Sequence, residues 1–213
     1  MSKEEINQST MLQVLDWAYE KSTNNLIGLD SAQELAESYL NGSGSLEDKI
    51  NCLIRWQNAK CATSGFVNGL GGILIMPITV PANISSVLFI QIRMIAAIAY
   101  MCGQDLRDDK VRSLVYCCLC GSAVKDILKN AGTQVTHKLT LKMINKYLTR
   151  DVIKKINQAV GFRLVTKAGN TGIINAVKVV PFLGGVVGAT FDATTSNIIG
   201  NTARNIFLKQ ELE

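Results

Sequence analysis

One histidine, three prolines and a 6% share of aromatic residues are all that this 213-residue chain has of those types, and each shortage narrows what it can do. His137 is the sole histidine and has Lys138 beside it, so a Ser–His or Cys–His nucleophile has a single candidate base. A surface histidine is the plainer reading. The strings H-E-x-x-H, G-x-S-x-G and G-K-S/T do not occur, which leaves zinc-peptidase, serine-hydrolase and phosphate-loop chemistry without a motif. Six cysteines fall at irregular spacings, three of them crowded at Cys117, Cys118 and Cys120. Neighbours on one helix cannot pair without strain. They read as buried structural thiols rather than a disulfide framework or a zinc site, and they suit a reducing, intracellular compartment. No metal and no cofactor is expected. The opening MSKEEINQST has neither the basic nor the apolar region of a secretory signal, so none is expected.

Strand patterning is scarce and helix signals are frequent, which predicts an all-α fold: a single-domain helical bundle over residues 10–209 behind a disordered tail at 1–9. Met11, Leu12, Leu15, Ala18 and Tyr19 make one apolar face behind a Thr10 cap. Ser31 and Glu34 have the spacing of a capping box, and Ser45 with Asp48 opens the following helix. Asp108 begins another, with Val111, Leu114, Val115, Cys118 and Leu119 inward, running to Ala131-Gly132. An amphipathic helix is expected over 133–150, a further one from Asp151 through Gln158, and a last one over 182–209.

Between Lys60 and Arg93 there is no charged residue, and none between Val179 and Phe191. The first stretch holds Gly65, Gly69 and Gly72, then Pro77 and Pro81; the second holds Pro181, Gly184 and Gly188. Twelve helical residues rise only about 18 Å, and proline interrupts a helix, so these segments read as two Gly/Pro-rich apolar hairpins. They either pack in the core or dip into one leaflet. The span 82–102 is long enough to cross a bilayer, but Arg93 sits in its middle, at a cost of about 2.5–3.5 kcal/mol on insertion scales.

Charge is divided unevenly. Residues 1–60 carry five Lys/Arg against nine Asp/Glu, whereas residues 125–178 carry eleven against two. In the basic region Lys138, Lys142, Lys146 and Arg150 recur every four residues, a stripe suited to an anionic membrane surface. Aromatic residues do not interleave with it, so nucleic acid is not an expected partner. Arg93, Arg163, Lys167 and Asp192 lie in apolar surroundings and each needs a partner. They are read either as a buried ion pair, Arg93 with Asp192, or as an anion pocket.

The strings Leu53-Ile54-Arg55-Trp56-Gln57, Gly65-Phe66-Val67-Asn68-Gly69-Leu70-Gly71-Gly72 and Pro81-Ala82-Asn83-Ile84 resemble the EcsC family. So do Gln91-Ile92-Arg93-Met94-Ile95, Ile156-Asn157-Gln158-Ala159-Val160-Gly161-Phe162-Arg163 and Val180-Pro181-Phe182-Leu183-Gly184-Gly185. The departures, at Ala168, Asn170 and Asn197, touch no central feature. The resemblance implies a bacterial cytoplasmic protein, peripheral to or partly inserted in the inner membrane, with an ABC transporter or another membrane protein as partner. It supplies no catalytic residue. The expected function is non-enzymatic docking on the cytoplasmic leaflet through the basic helix and the hairpins, accessory to transport or secretion. A lipid- or peptide-acting enzyme with an Arg/Lys/Asp pocket and a soluble adaptor with buried hairpins remain the alternatives.

Overall fold

A computed structural model describes residues 7–24, 28–61, 82–133, 141–169 and 186–208, and among them every regular element is helical. The chain runs α1 (Gln8–Thr23), α2 (Ala32–Leu40), α3 (Leu46–Cys61), α4 (Ala82–Met101) and α5 (Asp109–Cys118). After a 3-10 turn (Gly121–Ala123) come α6 (Val124–Asn130), α7 (Leu141–Tyr147), α8 (Arg150–Gly169) and α9 (Val186–Phe207).

Helix starts follow local chemistry. Ser31 caps α2 through a reciprocal box: its side chain accepts from Glu34 N, and its own N–H donates to Glu34 Oε2 at 2.8 Å. Ser45 and Asp48 make the same exchange ahead of α3, and the Asp108 side chain accepts from Lys110 N at the start of α5. α1 starts earlier than expected, within the stretch read as a tail. Asn7, not Thr10, is its cap, because the Asn7 side chain accepts from both the N–H and the hydroxyl of Thr10.

Two other expected boundaries move. The helix expected to run from Asp108 to Ala131 is cut at Cys120–Ala123 by the 3-10 turn, with Gly121 at φ +57°. α8 continues through Gly161 to Gly169, because the bare Gly161 faces α1 and lets Gln8 and Leu12 close on it. The last helix is described from Val186 onward, and residues 182–185 of its expected span lie outside the described residues. Of the hairpin residues, Gly65, Gly69, Gly72, Pro77, Pro81, Pro181 and Gly184 lie outside the described residues, while Gly188 stands in the first turn of α9.

α4 is the hub, packed against α1, α2, α3, α5 and α9. From Leu88 to Ala99 all its side chains are buried, as expected of a helix enclosed on every side. No described helix is long and apolar enough to cross a membrane. α9 lies along α3 so closely that a Cβ on Gly200 would come 2.9 Å from Ile54 Cγ1. Ile54 is buried and β-branched, so it cannot swing aside. Gly200→Val should therefore destabilise the fold by about 1–3 kcal/mol. The readout is a lower urea midpoint at an unchanged slope; an unchanged midpoint would contradict the close α3–α9 approach.

Candidate functional site

Among the described residues the basic region forms α6, α7 and α8, and the charges described there face solvent. Lys125 and Lys129 on α6, Lys146 on α7, and Arg150, Lys154, Lys155 and Arg163 on α8 are all exposed. The two acids among them, Asp126 and Asp151, are exposed too, yet none of these seven cations stands in an ion pair among the described residues. Ile156 and Val160 are buried, which turns the opposite side of α8 outward. There Arg150, Lys154, Gln158 and Phe162 follow one another at four-residue spacing, so they share one ridge. Phe162 is 63% exposed, an unusual place for so large an apolar side chain.

The stripe read from the sequence is only partly described. Lys138 lies outside the described residues, and Lys142 is on α7 with a side chain outside them. Lys146 and Arg150 are exposed but belong to different helices. The single helix expected over 133–150 is interrupted at Leu148–Thr149. Leu148 is buried there, and Thr149 Oγ1 accepts from Val152 N at 3.4 Å, starting α8 afresh. The structure adds Lys154, Lys155 and Phe162, which the four-residue stripe had passed over.

Arg93 is only 3% exposed. Its Nη1 donates to the carbonyl oxygen of Asp30 at 3.0 Å, and its guanidinium carbon lies 5.7 Å from the Phe89 ring centre. It therefore holds the entrance of α2, one residue before the Ser31 cap. Arg163 sits elsewhere, exposed on the rim of a cavity of about 630 Å³ between α6 and α8. These two arginines have different surroundings. Lys167 and Asp192 lie on α8 and α9, with side chains outside the described residues.

A cluster that no sequence pattern announced joins α1 to α5. The rings of Tyr19 and Tyr116 meet edge to face, 5.8 Å apart at 88°. Tyr19 Oη donates to Leu106 O at 2.8 Å, Tyr116 Oη donates to Asp16 Oδ1 at 2.7 Å, and the Arg112 guanidinium lies 5.2 Å over the Tyr19 ring. These contacts join residues 87 and 100 positions apart, beyond the reach of any local signal. Burial pushes both phenols well above the ordinary tyrosine value; Arg112 partly opposes this at Tyr19, and the bond to Asp16 reinforces it at Tyr116. Burial likewise raises the Cys117 and Cys118 thiols, which disfavours the reactive thiolate.

Above the ordinary value of 10.0, the folded state thus binds more protons than the unfolded one. Stability from these phenols is complete below that pH and falls as pH rises past it. In an alkaline titration followed by tyrosinate absorbance, Tyr19 and Tyr116 should ionise only together with loss of helical circular dichroism. Ionisation of all five tyrosines with the helices intact would contradict this burial.

No curated protein and no solved structure is detectably similar to the chain. The model of the EcsC protein family matches residues 3–210, nearly the whole length, and the chain belongs to that family.

Proposed function

We propose that this protein is a peripheral membrane protein, docking on an anionic leaflet through the outward ridge of α8. One observation carries the reading: Arg150 and Lys154, without an ion pair among the described residues, share the outward ridge of α8 with an exposed phenylalanine. An ordinary solvated face mixes both signs of charge. Here four exposed cations on α8 stand against one acid, Asp151, with Phe162 on the same ridge, an arrangement that lets an apolar side chain enter the acyl boundary while basic residues meet headgroups. Each basic residue near the surface contributes about 1 kcal/mol, and burying a Phe side chain contributes about 1.5–3 kcal/mol more.

Docking on the cytoplasmic leaflet would place the protein beside membrane-embedded partners. An accessory role to an ABC transporter or to secretion, which the family resemblance implies, belongs to the same proposal.

Flotation of the purified protein with vesicles tests it. Vesicles containing phosphatidylglycerol should carry the protein upward and pure phosphatidylcholine vesicles should not, with the difference shrinking at high salt as screening shortens. The double variant Lys154→Glu, Lys155→Glu should weaken binding by roughly tenfold or more. Phe162→Ala should weaken it by about tenfold and leave the salt dependence in place. Equal flotation of the parent on neutral and anionic vesicles, or none on either, would overturn the reading.

A further inference from the structure

The cleft of about 630 Å³ between α6 and α8 falls within the size range of small-molecule sites. Asp126 and Ile127 of α6 line one side, and Phe162, Arg163 and Leu164 of α8 line the other. Residues 125–178 hold only two acids against eleven cations, yet one of those two acids, Asp126, stands here. Arg163 is the cation of the opposite wall, and no other charged side chain lines the cleft among the described residues. Both are exposed and neither has an ion pair among the described residues, so the two charges are held apart. The Thr166 hydroxyl, also on the α8 wall, is spent on the Phe162 carbonyl at 2.9 Å, which leaves the Arg163 guanidinium as the group there that can take an anion. One wall with a single anion and one with a single cation, with apolar surface beside them, match a ligand that carries both charges and a hydrocarbon part.

We propose that the cleft holds the headgroup of a zwitterionic phospholipid with a primary amine, the chemistry of phosphatidylethanolamine. The phosphate lies against Arg163, the ammonium against Asp126, and the first acyl carbons against Phe162 and Leu164. The assignment rests on the docking reading above, because Phe162 belongs both to the outward ridge and to the cleft, and so brings the opening to the headgroup layer. A guanidinium fork suits phosphate, whose oxygens accept two of its N–H groups at once. A carboxylate suits a primary ammonium, which has N–H groups to donate. Choline has none, and sites for it are built from a cage of aromatic faces. Phe162 is the one aromatic side chain lining the cleft among the described residues, too few for such a cage. The ridge thus responds to the charge of the leaflet, and the cleft chooses among its headgroups.

The test is a calorimetric titration of the full chain, without vesicles, with three probes: dihexanoyl phosphatidylethanolamine, dihexanoyl phosphatidylcholine, both below their micelle concentrations, and phosphoethanolamine. Saturable binding is expected for the first, with the other two weaker by about tenfold or more. Asp126→Asn, an exposed change of the same shape, should weaken the ethanolamine lipid by about tenfold and leave the choline lipid as it is in the parent. Arg163→Gln should weaken both lipids. Lys154→Glu, Lys155→Glu should bind the ethanolamine lipid as the parent does, although it floats poorly with anionic vesicles. Equal affinity for the choline lipid would overturn the contact with Asp126, and equal affinity for phosphoethanolamine would overturn the lipid in favour of a soluble zwitterion. Binding untouched by Asp126→Asn and Arg163→Gln would place the lipid elsewhere on the molecule. No saturable binding, by a parent that still floats with anionic vesicles, would overturn the cleft and leave docking standing; binding by a parent that does not float would sink docking alone.

Discussion

Enclosing α4 requires satisfying the one charge it carries. From Leu88 to Ala99 that helix exposes no side chain, and Arg93 lies in the middle of the run. A guanidinium cannot be neutralised as a lysine can, so burying it demands donors' partners rather than a shifted protonation state. Part of the answer is the Asp30 carbonyl, which carries no charge of its own. That bond fixes the chain entering α2 against the middle of α4, and α2 then covers one flank while α1, α3, α5 and α9 take the others. Phe89, one turn earlier on α4, lays its ring against the same guanidinium. A helix with the length of a membrane span is thus held inside a protein core by the residue that makes it a poor span.

How much of this was legible follows the range of the interactions. Ser31 with Glu34, Ser45 with Asp48, and Asp108 with its first turn act over five residues or fewer, and each stands where the sequence puts it. The inward faces were legible for the same reason: Met11, Leu15, Ala18, Leu114 and Val115 recur at helical spacing and are buried. Gly161 misled because glycine ends helices in one context and admits a neighbouring helix in another; Gln8 and Leu12, about 150 residues away, decide which. Thr149 was hidden inside an unbroken basic and apolar periodicity. Periodicity registers the face of a helix and is blind to a cap that restarts it. The described bond of Arg93 goes to a backbone carbonyl that no side-chain pattern marks, and the Asp192 side chain expected beside it lies outside the described residues.

The division of charge along the chain becomes a division among surfaces. The carboxylates of the first sixty residues include Asp16 and Glu20 on α1, where they line a cavity beside Tyr19. The surplus of cations after residue 125 becomes the exposed side of α6, α7 and α8. Intramolecular pairing would have been the cheapest use of opposite charges in one small protein, but the three salt bridges among the described residues use only Arg107, Arg112 and Arg204 as cations. Lys154 and Lys155 of α8, without an ion pair among the described residues, keep their attraction available to something outside the molecule. An exposed phenylalanine on the same ridge selects a partner with an apolar interior beneath an anionic surface.

α1 belongs to both features. Its first turn meets α8, where Gln8 Nε2 donates to the Gln158 carbonyl at 2.8 Å and Leu12 packs over Gly161. Its second half carries Asp16 and Glu20 to the cavity and stacks Tyr19 against Tyr116 of α5. Leu12 and Asp16 are one turn apart, about 6 Å along the axis, so the contact with α8 and the cavity occupy neighbouring turns of one helix. A rigid helix can transmit a displacement, provided that one contact favours one position of α1 over another. The contacts at Gly161 are the place where such a shift would register first. A side chain there would separate α1 from α8, and the absence of one leaves the two helices in direct contact.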